Sequence, residues 1–239
     1  MYLSIIIPAY NEEKRLPQTL SKVIDFISQQ TYSVEILIIN DGSTDNTASL
    51  VEDLAKNESQ IKLIDNRENR GKAFSVNQGI KLASGEYILF MDADGSTPID
   101  EVQKLIEALD CGFDIAIGSR RVFGANVVHD QSIPRLFLGW IFRHIVSIIL
   151  PLNIIDTQNG FKLFKNQTAK IIFAMQKSFG WAFDVEILYL AHKLGYKIKE
   201  VPIVWNNNDE SKVKLLGKVK MLFEIIKIRF NKYDKRVGE

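Results

Sequence analysis

The sequence predicts an α/β protein with a mostly parallel central sheet flanked by helices. Short apolar runs alternate with amphipathic helical segments through the first half of the chain. Each apolar run stops at a cluster of Gly, Asn, Asp, Ser or Pro, the residues that make turns. The 239 residues are 46% apolar and 25% charged, an ordinary globular composition that can supply one large core.

The elements follow in order. Leu3 to Ile7 is an all-apolar strand apart from Ser4, closed by Pro8. Glu12 to Gln29 carries Leu16, Leu20, Val23, Ile24 and Ile27 on one helical face. Val34 to Ile39 is a second strand, ended by Asn40-Asp41-Gly42-Ser43, after which Thr44 or Asp45 can cap a helix. Ile61 to Ile64 is a third strand, and Lys72 to Ala83 a helix stopped by Ser84-Gly85. Glu86 to Met91 is a strand buried on both faces, followed by a helix over Ile99 to Leu109 and a strand over Asp114 to Gly118.

The second half is less regular. Ile133 to Leu150 is apolar but interrupted by Arg135, Arg143 and His144, which suits a core or interfacial helix rather than a membrane span. Asp156-Thr157-Gln158-Asn159-Gly160 is a polar loop before Phe161 to Phe164. Ala182 to Leu194 reads as a helix, Ile198 to Trp205 as an edge or bulged strand because of Pro202, and Val213 to Phe230 as a helix. No repeat or linker divides the chain, so we expect a single domain over 1–239. A boundary near residue 119 would separate two lobes of that domain, 1–118 and 119–239, the second ending in a basic amphipathic helix.

Charge is unevenly placed. Between Lys212 and Arg236 nine basic residues oppose Glu224 and Asp234, a local +7 in a chain whose formal net charge is +1. Such an end seeks an anionic partner, and next to Leu222 and Phe223 it suits an anionic membrane surface. No aromatic-rich sheet signature or recognition helix accompanies it, so nucleic acid is not expected. The single Cys111 excludes an internal disulfide framework and is expected to be a small packing residue. Met1 runs straight into a strand without a secretory leader, and the expected location is cytoplasmic, peripheral on the cytoplasmic face of the membrane. His129, His144 and His192 match no ligand spacing and are expected to be non-catalytic.

Asp92-Ala93-Asp94 is the sharpest chemical signal. Two carboxylates at the mouth of a buried strand repel each other unless positive charge lies between them. A divalent cation of the Mg or Mn type is the simplest bridge. Pro8 to Glu12, Asn40 to Ser43, Asp92 to Asp94 and Ser119 to Arg121 each follow a strand. With right-handed crossovers, all four clusters should share one sheet edge, where ligands bind.

Pro8-Ala9-Tyr10-Asn11-Glu12, Asn40-Asp41-Gly42-Ser43-Thr44-Asp45 and Asp92-Ala93-Asp94 together resemble the family 2 glycosyltransferases, whose fold is the GT-A-type nucleotide-sugar-binding fold. Gly118-Ser119-Arg120, Asp156 to Phe164 and Glu210-Ser211-Lys212 resemble the branch that glycosylates polyprenyl phosphates. Asp92 to Thr97 and the Asp156 segment are most similar to the dolichyl-phosphate β-glucosyltransferases. The resemblance implies that Pro8, Tyr10 and Glu12 line the base and ribose pocket and that Asp41 contacts the nucleotide. It implies that Asp92 and Asp94 hold metal and donor diphosphate with Ala93 against the nucleotide-sugar, that Arg120 and Arg135 meet phosphate, and that Lys212 closes over the donor. Ser96 and Asn206 stand where the mannosyltransferases of the branch carry Gln and Arg, which weakens a mannosyl reading.

The implied reaction is an inverting, metal-dependent hexosyl transfer from a UDP-sugar, with glucose expected, to a polyprenyl or dolichyl phosphate. GDP-mannose with the same acceptor, and a hydroxyl acceptor in surface glycan synthesis, are the alternatives; a nucleotide-binding protein without turnover is a weaker one. A phosphate acceptor is already ionised, whereas a hydroxyl needs a base. Arg121 and Arg135 are candidates to hold the phosphate, and Asp184 and Glu186 to act as the base. Otherwise Asp184 would cap the helix it opens.

Overall fold

The protein, seen in a computed structural model, is described over residues 1–128, 144–206 and 215–233, with side chains of the last segment from Lys220 onward. In chain order the elements are β1 (Leu3–Ala9), α1 (Leu16–Ser28), β2 (Val34–Asn40), α2 (Thr47–Asn57), β3 (Ile61–Asp65), α3 (Lys72–Leu82), β4 (Tyr87–Met91) and α4 (Val102–Asp110). Then come β5 (Ile115–Ser119), β6 (Asn126–Val127), β7 (Phe161–Lys165), α5 (Asn166–Ala174), α6 (Phe183–Lys193), β8 (Ile198–Pro202), β9 (Val204–Trp205) and α7 (Leu215–Phe230). Seven strands form one sheet in the order β3-β2-β1-β4-β7-β5-β8, and β6 pairs with β9 apart from it. All neighbours in the large sheet are parallel except β7, which runs antiparallel to both β4 and β5.

Alternation along each strand divides the core into two layers. Ile6 and Phe90 face a layer with α3, α5, α6 and the inner side of α7, including Ile80, Ile172, Leu188 and Ile225. Ile5, Ile7 and Leu89 face the other layer, with Leu20 of α1, Val51 of α2 and Leu105 of α4. Burying one such aliphatic side chain stabilises by about 1.5–3 kcal/mol, so the two layers outweigh any single polar contact.

Antiparallel β7 is what shapes the site. Met91 pairs with Phe161, so the N-terminal end of β7 lies beside the C-terminal end of β4. The 156–160 loop therefore arrives at the same edge as Asp92. β5 is antiparallel to β7 and so parallel to β4, which brings Arg120 to that edge too.

Several details differ from the sequence reading. Helix α1 starts at Leu16 rather than Glu12. Asn11 takes a left-handed φ of 54°, and the Glu12 carbonyl accepts the N–H groups of Arg15 and Leu16 in a turn that precedes the helix. Cys111 is exposed rather than packed, because it sits at the C-terminal cap of α4 beside Gly112, whose φ is +93°. Pro202 ends edge strand β8, and the chain turns there into β9. Of the expected 133–150 helix, 144–150 is described and 144–149 is helical; there Val146 and Leu150 are buried and Ile148 exposed.

One buried charge was not anticipated. Glu35, the second residue of largely apolar β2, accepts hydrogen bonds from Ser4 Oγ (2.7 Å), Ser84 Oγ (2.6 Å) and Ser84 N–H (2.8 Å), and pairs with Lys62 at 2.9 Å. It ties the α3–β4 turn to β1 and β2.

Candidate active site

The loops after β1 and β2 are laced together. Asn11 N–H donates to Ser43 Oγ (3.0 Å), Thr44 N–H to Asn11 Oδ1 (2.8 Å), and Glu12 N–H to Thr47 Oγ1 (2.9 Å). Neither Thr44 nor Asp45 caps α2, contrary to expectation: Asn46 occupies the cap position without a side-chain cap bond, and Asp45, one residue before it, accepts Thr47 N–H at 3.0 Å from Oδ1. Pro8 is buried at the end of β1 and Tyr10 is partly open to solvent. The Glu12 carboxylate grips Arg15 with two contacts of 2.6 and 2.7 Å. Asp41 is buried, and its two oxygens accept the N–H groups of Arg70 (3.0 Å) and Gly71 (2.7 Å). The residues implied for the nucleoside thus share one region of the edge, with Asp41 anchoring the start of α3.

Asp92, Asp94, Ser96, Arg120, Gln158 and Trp205 line one cavity. Asp94 Oδ1 accepts Ser96 N–H at 3.0 Å, and Gly95 supplies the left-handed turn, φ +62°, that lets the two aspartates face the same space. Thr19 Oγ1 donates to the Ala93 carbonyl at 2.9 Å and fixes the turn from below. Asp92 N–H donates to the Gly160 carbonyl at 3.1 Å. A methyl group on Gly160 would overlap the Asp92 carboxylate, so only glycine fits there.

Arg120 forms a fork with Asp156: Nε to Oδ2 at 2.8 Å and Nη2 to Oδ1 at 2.7 Å. Its guanidinium also lies 5.0 Å from the Trp205 ring centre. Burial works against the Asp156 charge, yet the Arg120 hydrogen bonds and charge hold its carboxyl below the usual range. Glu200 of β8 supports the arrangement by accepting Asp156 N–H (2.9 Å), Ile155 N–H (2.8 Å) and Ser119 Oγ–H (3.0 Å).

Two lysines that the sequence reading gave no role stand behind the aspartates. Lys72 Nζ pairs with Asp92 Oδ1 at 2.5 Å. Burial disfavours its charge, but Asp92 and Asp184 hold its pKa above the ordinary lysine value. Lys162 is fully buried; its Nζ reaches Asp184 Oδ1 and the Asn159 carbonyl, each at 2.5 Å, and lies 5.0 Å from the Phe90 ring. Burial pushes its pKa down, and Asp184 opposes that shift. A signal for Lys162 was present: it shares the inward face of Phe161-Lys162-Leu163-Phe164 with Phe164. For Lys72 the signal was weaker, a basic residue opening a helix after Gly71.

Asp184 and Glu186 diverge. Two residues apart on α6, they point to nearly opposite sides. Asp184 faces the Lys162 ammonium and does not cap its helix, whose cap position is Ala182. Glu186 is fully buried and accepts hydrogen bonds from Tyr233 Oη (2.7 Å), Ser178 N–H (2.7 Å) and Lys177 N–H (3.2 Å). Burial raises its pKa, while those donors pull it back. The structure therefore gathers Asp92, Asp94 and Arg120 around one cavity, with Asp184 behind them, and leaves Glu186 beside Tyr233. Arg135 and Lys212 lie outside the described residues, as do His129, Trp140, Phe142 and Arg143.

A parallel sheet whose strand ends carry nucleotide-type loops and an acid pair is the arrangement of a sugar-nucleotide transferase, and the family comparison agrees. The Glycosyl transferase family 2 model matches residues 4–173, and the chain belongs to the family 2 glycosyltransferases. Within it, the chain is 40% identical to a dolichyl-phosphate β-glucosyltransferase of Dictyostelium discoideum, over 96% of this chain and 74% of the relative. It is 38% identical to the enzyme of that name from Saccharomyces cerevisiae, with the same coverage. Among solved structures, glucosyl-3-phosphoglycerate synthase from Mycobacterium tuberculosis with Mn2+, UDP and phosphoglyceric acid superposes with a TM-score of 0.68 at 17% identity, covering all of this chain and 81% of that one. Staphylococcus aureus TarS 1–349 with UDP-GlcNAc gives 0.57 at 17% identity, covering 96% and 73%. These two likenesses bear on the fold, a GT-A-type α/β architecture.

Proposed function

We propose that this glycosyltransferase moves glucose from UDP-glucose to a dolichyl or other polyprenyl phosphate with inversion at the sugar carbon. One observation carries the acceptor assignment. The two carboxylates that the sequence offers as a base are already engaged, Asp184 by Lys162 and Glu186 by Tyr233 and two backbone N–H groups. Among the described residues neither of these carboxylates is free to take a proton, which suits an acceptor that arrives ionised. The names of the relatives support the same acceptor and sugar.

The reaction is then a single displacement. A phosphate oxygen of the acceptor forms the bond to the anomeric carbon, the bond from that carbon to the UDP oxygen breaks, and UDP leaves with the electron pair. No proton needs to move. Negative charge grows on the leaving oxygen, and Arg120, braced by Asp156 and Trp205, is set to stabilise it. Pro8, Tyr10, Glu12 and Asp41 would hold the nucleoside, with Arg121, Arg135 and Lys212 as further phosphate contacts. In this reading residues 1–118 bind the donor and 119–239 the acceptor.

The donor set fits a divalent cation. Asp92 and Asp94 are hard oxygen ligands facing one cavity, with Ser96 beside them. Among the described residues no group of three or more His, Cys, Asp or Glu could hold a metal, so the donor phosphates would complete its shell. Bound Mg or Mn would neutralise the charge of the departing diphosphate.

A lipid acceptor requires a membrane surface. No helix among the described residues is long and apolar enough to cross one. On α7, Met221, Ile225 and Ile228 are buried, while Phe223, Ile226 and Phe230 are exposed along the outer side, flanked by exposed Lys220 and Lys227. A helix with apolar residues and lysines on its outer face suits peripheral binding to anionic lipid. The test is transfer from a panel of UDP- and GDP-sugars to dolichyl phosphate, with Mg, Mn or chelator. UDP-glucose should be used and chelation should stop it; preference for GDP-mannose, or full activity in chelator, contradicts the proposal.

A further inference from the structure

We propose that Lys72 gates metal entry: its ammonium is the resident counter-ion of Asp92, so a divalent cation is admitted to Asp92 and Asp94 only together with the donor diphosphate. The inference rests on the metal-dependent reading above and adds an order of binding to it.

Both oxygens of Asp92 are constrained. Lys72 Nζ lies 2.5 Å from Oδ1, and the carboxylate packs so closely on Gly160 that no side chain could stand there. One side of the Asp92 carboxylate is thus held between the lysine and Gly160, while its two-fifths-exposed remainder faces the cavity. Lys72 is equally confined. It opens α3 directly after Gly71, whose φ is +91°, and Asp41 clamps the N–H groups of Arg70 and Gly71. Its Nζ lies 5.9 Å from the ring centres of both Phe90 and Phe183. The Lys72 side chain is one-third exposed, and its ammonium stands at the wall of the site, held there by the Asp92 contact and the start of α3.

A dication approaching Asp92 meets this positive charge within a few ångströms, where like charges repel strongly even with partial screening. Asp92 and Asp94 alone offer too few ligands to overcome that repulsion, since Mg-type ions in such sites rely on substrate phosphates for much of their shell. A diphosphate changes both terms. It brings oxygen ligands for the metal and negative charge that offsets the ammonium when Asp92 turns to the metal. The clamp by Asp41 links the region implied for the nucleoside to the position of Lys72, so donor and metal sites share one mechanical element.

The experiment is Mn2+ binding to the full chain, read from the paramagnetic resonance of free Mn2+, with and without UDP and with no sugar or acceptor present. Wild type should bind Mn2+ weakly alone and much more tightly with UDP. Lys72→Met should tighten UDP-free binding at least tenfold, about 1.4 kcal/mol. Its gain on adding UDP should shrink accordingly. Lys72→Arg should keep the weak UDP-free binding, and Asp92→Asn in the Lys72→Met background should abolish the tightened site. Lys72→Gln serves as the second neutral variant if Lys72→Met does not fold by circular dichroism. Unchanged or weaker UDP-free binding in a folded neutral variant, with normal UDP-linked binding in wild type, overturns the gate and leaves the metal reading standing. No Mn2+ binding by wild type with UDP overturns both.

Discussion

Gly160 and Asp92 are held in direct contact, the Asp92 N–H on the Gly160 carbonyl at 3.1 Å and the Asp92 carboxylate against the glycine α-carbon. The loop that precedes antiparallel β7 therefore shapes the acid pair at the end of β4. Gly160→Ala should displace the Asp92 carboxylate and lower kcat/KM at least 100-fold, matching the roughly 2.7–4 kcal/mol that a preorganised charge-stabilising group contributes. Steady-state kinetics beside a melting curve checks this. Full activity with an unchanged melting temperature would show that the contact does not matter.

The buried Lys162–Asp184 pair makes a prediction about stability. Asp184→Asn leaves a fully buried ammonium without its counter-charge and should cost about 3–5 kcal/mol. Lys162→Met with Asp184→Leu removes both charges and should recover most of that loss in urea titrations. If Asp184 were instead the base, Asp184→Asn would abolish turnover while leaving the melting curve in place.

Glu35 gives a pH dependence. Burial opposes its charge, but hydrogen bonds from Ser84, Ser4 and Lys62 win and lower its pKa from 4.5 to about 2. A depressed pKa means the unfolded chain takes up the proton first. The contribution is present above pH 4.5 and fades as pH falls toward about 2. That shift corresponds to roughly 3 kcal/mol. Chemical denaturation from pH 6 to pH 3 should show about 2 kcal/mol of this loss in wild type and a smaller slope in Glu35→Gln.

Membrane binding should depend on the outer face of α7. Phe223→Glu with Phe230→Glu places charge where two exposed rings stand, and should weaken sedimentation with phosphatidylserine vesicles at least tenfold. Activity on a short, water-soluble polyprenyl phosphate should be kept. Equal vesicle binding by wild type and the double variant would remove this face from the account.

Much of the scaffold was legible in the sequence because strand and helix periods are local properties. The strand β4, its acid pair and the loops after β1, β2 and β5 could be read directly, and their meeting at one edge follows from parallel crossovers. Antiparallel β7 was not foreseen, since Phe161 to Phe164 is a short run whose direction depends on its neighbours. The same gap hid Lys162, whose partner Asp184 lies 22 residues away. Lys72 escaped for a related reason: pairing with Asp92 depends on how α3 packs across β1 and β2, which aims its first residue at the end of β4. Asp184 and Glu186 read as equivalent acids in sequence, and helix phase sends one to a lysine and the other to a tyrosine.

The central claim is that the acceptor is an ionised phosphate needing no base, and the most direct measurement compares dolichyl phosphate with dolichol under otherwise identical conditions with radiolabelled UDP-glucose. The account predicts transfer to the phosphate, none to the alcohol, and retained turnover in a folded Glu186→Gln variant. Comparable transfer to dolichol, or no transfer to the phosphate, would contradict it.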